Sequence, residues 1–252
     1  GADGGDPEFK KWLADPNVGV SPDRHSWAVL TAAEHAVRSA EALAPTAADV
    51  RASRQLLLQA EASDYWYWDG SLNGVWDAIP TRAANQAVAL AAPFVGGAAP
   101  AVFVPQREPY NPGGTEWGQP QPSDVEVWTY VAGDLSRVTL RIRQDADGRN
   151  DAATTDNETF AGGPGVGAWT DIAMSASTEP RPPGVPTPTR IAQRYGATVT
   201  GFTEAFLDYV VEAEDTAGRV TRSPIQHVWV GTSSSTPGGA SVSWAPTQPA
   251  PG

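Results

Sequence analysis

Near residue 100 the hydrophobic period of this chain changes, and that change restricts its fold more than any other feature. Before it, apolar residues recur at helical spacings: Trp27, Leu30, Val37, Ala40 and Leu43 fall three, seven, three and three residues apart, tracing one face of an amphipathic helix. After it they alternate. Val125, Val127 and Thr129 interleave with Glu126, Trp128 and Tyr130, and Val138, Leu140 and Ile142 with Thr139, Arg141 and Arg143. A period of two belongs to strands with two different faces. A chain that does both in succession is expected to be a multidomain α+β protein.

The punctuation between these patterns sets the expected boundaries. Pro22 suits a first helical turn and Pro45 ends the first helix, expected over 22–44. Thr46 and Asp49 have the spacing of a capping box, so a second helix is expected to run through Val50, Leu57, Ala60 and Glu61 to Asp64 and to end near Gly70. A third, alanine-rich helix is expected from Pro80 to Pro93. Three short helices close only a small core, so they should pack on something else. The helical segment is therefore 1–98. Residues 99–122, rich in glycine and proline, read as a linker or an extended wrap. Short strands separated by turn residues over 123–231, a length near the roughly 100 residues of an immunoglobulin-like sandwich, indicate an antiparallel β-sandwich. Residues 232–252, rich in serine, glycine and proline, read as a linker toward a further module.

Composition removes whole classes of function. No cysteine occurs among the 252 residues, so disulfides, thiolate nucleophiles and cysteine-ligated zinc are excluded. The formal charge of −12 repels phosphate backbones and speaks against nucleic acid. No run approaches the roughly 18 apolar residues of a membrane span, so no membrane partner is expected, and no amino-terminal apolar run suggests a signal peptide. Ten tryptophans in an acidic chain suit neutral ligands with apolar faces, such as sugars, although large rings also fill cores. His25, His35 and His227 have no metal-ligand spacing, and carboxylate pairs such as Glu61 with Asp64 have no barrel or deep cleft to desolvate them.

Two constellations carry chemistry. Tyr65, Trp66, Tyr67 and Trp68 are adjacent aromatics at a helix end; they project around most of the circumference and cannot all face one core. Tyr65, Trp66 and Trp68, with Trp76 and Trp117 from neighbouring loops, are the candidate sugar-contacting rings, with packing as the competing role. Asp145, Asp147, Asn150 and Asp151 surround a glycine turn with oxygen-bearing side chains. Such a set suits a structural Ca²⁺ ion, although a solvated hairpin tip has the same composition.

The segment Leu56-Leu57-Leu58-Gln59-Ala60-Glu61-Ala62-Ser63-Asp64-Tyr65-Trp66-Tyr67-Trp68-Asp69-Gly70 resembles the helical region that follows the catalytic barrel in glycoside hydrolase family 57, with Tyr65 where a tryptophan is usual. The resemblance covers roughly residues 22–95. It implies a place beside an upstream catalytic barrel that hydrolyses or transfers α-glucan, and a sugar-contacting role for Trp66 and Trp68. The catalytic carboxylates of that family lie on the barrel, so no catalytic residue is carried over. The run from Tyr209 to Arg219 and the closing Ser223-Pro224-Ile225-Gln226-His227 resemble the immunoglobulin- or fibronectin-like modules of secreted bacterial glycosidases, which implies an extracellular location. Ser241-Val242-Ser243-Trp244-Ala245-Pro246 resembles the first strand of a starch-binding module of family 25. The resulting expectation is a non-catalytic, α-glucan-associated segment of a secreted amylase- or pullulanase-like glycosidase. The alternatives are a structural spacer that docks on a catalytic domain, or a non-catalytic subunit of a split glycoside hydrolase.

Overall fold

In a computed structural model the described residues are 22–62, 64–67, 75–94, 96–116, 118–146 and 156–232. Four helices come first: α1 (Pro22–Leu43), α2 (Ala48–Ala60), α3 (Asp64–Tyr67) and α4 (Val75–Ala91). Twelve strands follow. β1 (Ala101–Val102), β2 (Gln106–Glu108), β3 (Thr115–Glu116) and β4 (Gln119–Pro120) are short; β5 (Val125–Ala132) and β6 (Leu135–Gln144) are long. After them come β7 (Thr170–Ala173), β8 (Ser175–Ser177), β9 (Gln193–Val199), β10 (Ala205–Asp215), β11 (Val220–Arg222) and β12 (Gln226–Val230). The architecture is α+β, helices plus antiparallel sheets, and no described helix is long and apolar enough to cross a membrane.

Three helix boundaries differ from the sequence reading. The capping box at Thr46 is not made: the N-cap is Ala47, in extended backbone and without a side-chain cap bond, while the carbonyl of Thr46 accepts from the Arg51 guanidinium. The second helix stops at Ala60. Glu61 N still bonds Leu57 O, but Ala62 N turns to Gln59 O and Tyr65 N to Ala62 O, so the chain tightens and restarts as α3. The last helix begins at Val75 with Pro80 inside it; Ser26 Oγ reaches Asp77 in its first turn, 3.4 Å away.

Two sheets share one core. In the first, the order is β1-β5-β9-β8 with β2 also on β5; in the second it is β11-β10-β6-β7 with β12 also on β10. Alternation decides which residues meet between them. Val125, Val127 and Val131 of the first sheet pack with Val138, Leu140, Ile142, Leu207, Tyr209 and Val211 of the second. The β6–β10 register sets Leu140 opposite Val211 and Ile142 opposite Tyr209. Within 99–122, read from composition as a linker or wrap, β1 and β2 pair with β5 and so form part of the first sheet.

The other face of β5 is covered by helix. Trp128, Tyr130 and Ala132 pack against Ala28 and Ala32 of α1, and Ala192 N donates to Ala28 O at 2.9 Å. Alanines on that helix face let its backbone approach the rings closely. On its opposite side α1 buries Val29, Leu30, Ala33 and Val37 against Leu57 of α2 and Ala84, Ala87 and Val88 of α4. The helical layer therefore does pack on something else, and that partner is the sheet. Leu43, counted with the apolar stripe from spacing, is the last residue of α1 and is 59% exposed.

Candidate functional site

Ring packing joins the helices to the first sheet. Trp66 of α3 lies parallel to Trp27 of α1, with centroids 4.1 Å apart and planes 8° apart. Trp27 then meets Phe103 at 5.1 Å, and Phe103 meets Tyr130 at 5.8 Å. Trp128 completes the row, edge-on to Tyr130 at 5.4 Å and beneath the guanidinium groups of Arg24 and Arg194. With only 1% of its surface exposed, Trp66 has no face left for a sugar. Of the two roles open to it from sequence, platform and packing, its place against Trp27 at the helix–sheet junction is that of packing. Tyr65 is half-buried and Trp76 is 37% exposed. Trp68 and Trp117 lie outside the described residues, the latter in sequence between the paired strands β3 and β4.

The four expected calcium ligands divide in the same way. Asp147, Asn150 and Asp151 lie outside the described residues. Asp145 is buried and accepts from Asn157 Nδ2 at 3.1 Å. Among the described residues no group of three or more metal-ligating side chains occurs.

Beside Asp145 lies a polar network that the sequence reading did not single out. Asp208, on the outward face of β10, is fully buried and accepts from Arg143 Nε at 2.8 Å, from Asn157 Nδ2 at 3.1 Å and, at 2.8 Å, from His227 Nδ1. Strand register creates the cluster: Asp208 stands opposite Arg143 on one side and His227 on the other. Arg143 Nη2 also donates to the carbonyls of Asp156, Asn157 and Thr159. Burial raises the Asp208 carboxyl, but the bonds from His227, Asn157 and Arg143 outweigh it and hold the group below its usual range. Burial lowers the His227 imidazole, and the Asp208 carboxylate beside it raises it above its usual value. The arrangement clamps the 156–169 loop onto the second sheet. Phe160 and Trp169 stack there at 5.3 Å, with Arg222 and Arg141 over Phe160 and Arg143 over Trp169. Since the Asp208 side chain is closed to any substrate, the network's chemistry is positional. The alternating Arg141 and Arg143 on a strand were the one signal in the sequence; Asp208, the partner of Arg143, is 65 residues away.

No protein-family model matches the chain. It is 28% identical over 217 residues to an α-amylase of Niallia circulans, a match that covers 69% of this chain and 16% of that protein. The chain thus spans about a sixth of the length of the relative it resembles, and the similarity supports a carbohydrate-related region. Among solved structures, the alkylpurine DNA glycosylase AlkC of Pseudomonas fluorescens, bound to DNA with an abasic-site analog, is 11% identical. That likeness covers 75% of this chain and 49% of the other with a TM-score of 0.24, too low to bear on fold or partner.

Proposed function

We propose that this chain is a non-catalytic, α-glucan-associated segment of a secreted amylolytic protein, lying after a catalytic barrel of the glycoside hydrolase family 57 kind. The observation that carries the reading is the extent of the amylase similarity. Covering 69% of 252 residues, it is longer than the chain on either side of residue 99 and so crosses the junction of helices and sheets. The ring contacts from Trp66 through Trp27 and Phe103 to Tyr130 make that junction a packed interface. An immunoglobulin-like sandwich is part of the proposal. Its support is the strand order, in which β1, β5, β9 and β8 correspond to A, B, E and D of such folds and β6, β10 and β11 to C, F and G.

The burial of Trp66 favours a second reading, a spacer that docks on the catalytic domain, because the aromatic helix end is consumed in cementing the chain together. Native electrophoresis in gels containing soluble starch, pullulan or glycogen separates the two. Retardation of the chain is expected, and Trp76→Ala tests the exposed ring of the helical segment. A chain that migrates at the same rate with and without every one of these polysaccharides is a spacer.

A further inference from the structure

On the side where β2 and β12 lie at sheet edges, the loop after β2 and the end of β12 enclose a groove of about 590 Å³. Ligand pockets for small molecules run from roughly 300 to 1,000 Å³. Three aromatic side chains, Tyr110, Phe206 and Trp229, line it together with the neutral polar Asn111, Thr115 and Thr232. Phe206 and Trp229 are cross-strand partners. Their chain neighbours Ala205, Leu207, Val228 and Val230 belong to the inter-sheet core, so both rings stand on the outer face. Tyr110 is 40% exposed.

The groove is held in shape before any ligand arrives. Gly231 N donates to Pro112 O at 2.9 Å, which ties the loop to the end of β12, and Gly113 N to Pro122 O at 2.8 Å, which ties it to the segment after β4. Gly113 has φ 73°, and a Cβ there would stand 3.0 Å from Gly231 N; only glycine meets both demands. Arg107 Nε donates to Tyr110 O at 2.9 Å while its guanidinium lies 4.1 Å over the Tyr110 ring. His227 stacks on Phe206 with planes 7° apart and gives its Nδ1 to Asp208. Both basic side chains at the groove are therefore engaged by the protein itself. Thr232 N and Oγ1 also donate to Glu204 Oε1, at 2.8 and 3.1 Å, so the groove offers a ligand apolar ring surface beside the Thr115 side chain. That combination suits a neutral polyhydroxylated ring, with C–H faces for the aromatics and a rim hydroxyl for Thr115.

We propose that this groove is a sugar-binding subsite, in which Tyr110 and Trp229 contact the ring face and Thr115 a hydroxyl at its rim. The proposal rests on the carbohydrate reading above and moves its site from the helix end to the sandwich edge.

The test uses the whole chain, with maltoheptaose in titration calorimetry and soluble starch in native gels. Tyr110→Ala, Trp229→Ala, the conservative Trp229→Phe and, as a comparison, Trp76→Ala are measured alongside, and each melt is recorded. Expected is a loss of affinity of about tenfold, the equivalent of ~1.4 kcal/mol for one aromatic contact, in Tyr110→Ala and Trp229→Ala, with Trp229→Phe close to the parent. If Trp229→Ala loses its fold, Tyr110→Ala, on an exposed loop, decides alone. Parent-like affinity in a folded Tyr110→Ala or Trp229→Ala overturns the groove and leaves the carbohydrate reading standing. Loss confined to Trp76→Ala moves the site back to the helices. A parent chain that binds neither probe overturns the groove and the carbohydrate reading together.

Discussion

Replacing Trp66 with alanine separates the two roles an aromatic helix end can have. The indole is 1% exposed and lies flat on Trp27 at 4.1 Å, so truncation leaves a cavity bounded by Trp27, α1 and α4. Removal of a fully buried tryptophan costs roughly 3–5 kcal/mol; within that, the lost ring pair accounts for about 0.5–1.5 kcal/mol. Set against a total stability of roughly 5–15 kcal/mol, this is a large fraction. For a chain of this size each kcal/mol moves the melting midpoint by about 2–4 °C, so Trp66→Ala is expected to melt on the order of 10 °C below the parent by circular dichroism. Retardation by starch, measured well below the transition, should be unchanged. Trp76→Ala, at an exposed position, should stay within about 1 kcal/mol of the parent. A Trp66→Ala chain that melted with the parent and had lost starch binding would refute the packing argument.

Further outcomes follow from other buried groups. Asp208→Asn keeps the shape but leaves the Arg143 guanidinium buried without its counter-charge; the expected loss is roughly 3–5 kcal/mol in urea unfolding, and a loss under 1 kcal/mol would contradict it. His25 is fully buried with neither ring nitrogen hydrogen-bonded, and burial, aided by the charge of Arg181, pulls it from 6.5 to about 4. Its folded value lies below the unfolded one, so its stabilising contribution is complete above pH 6.5 and is lost as pH falls toward 4, by at most ~3 kcal/mol. His25→Leu should flatten that limb of the pH–stability curve, and an unchanged slope would rule the histidine out. Residues 1–98 alone should show no cooperative melt as a monomer, because Ala28, Ala32 and Trp27 lose their cover of Trp128, Tyr130 and Phe103. Calcium is proposed for the all-oxygen set Asp145, Asp147, Asn150 and Asp151; millimolar Ca²⁺ should raise the melting midpoint, and identical melts in Ca²⁺ and in chelator would remove the ion.

The sequence by itself determined what is set by near neighbours. The period of the apolar residues and the two prolines defined α1 to within a residue, Pro22–Leu43 against 22–44. Alternation at Val125, Val127, Val138, Leu140 and Ile142 identified β5 and β6 as strands with two different faces, because successive side chains of a strand point to opposite sides; that this set faces the inter-sheet core is shown by the packing. Only the tertiary structure decided which second faces are covered and by what. Trp128 and Tyr130 alternate with core valines as surface residues would, yet they are buried, since α1 arrives there with Ala28 and Ala32. From sequence Trp66 could be a sugar platform or packing, and what decides is Trp27, 39 positions earlier, which stacks on it. The Asp208 cluster joins three segments, through Arg143 at a separation of 65 residues, Asn157 at 51 and His227 at 19. The groove at Tyr110 and Trp229 brings a glycine- and proline-rich stretch against the last strand. Local spacing sets which way a side chain points. What it meets there depends on segments that only chain collapse brings together, and that information is absent from any window of sequence short enough to show a period.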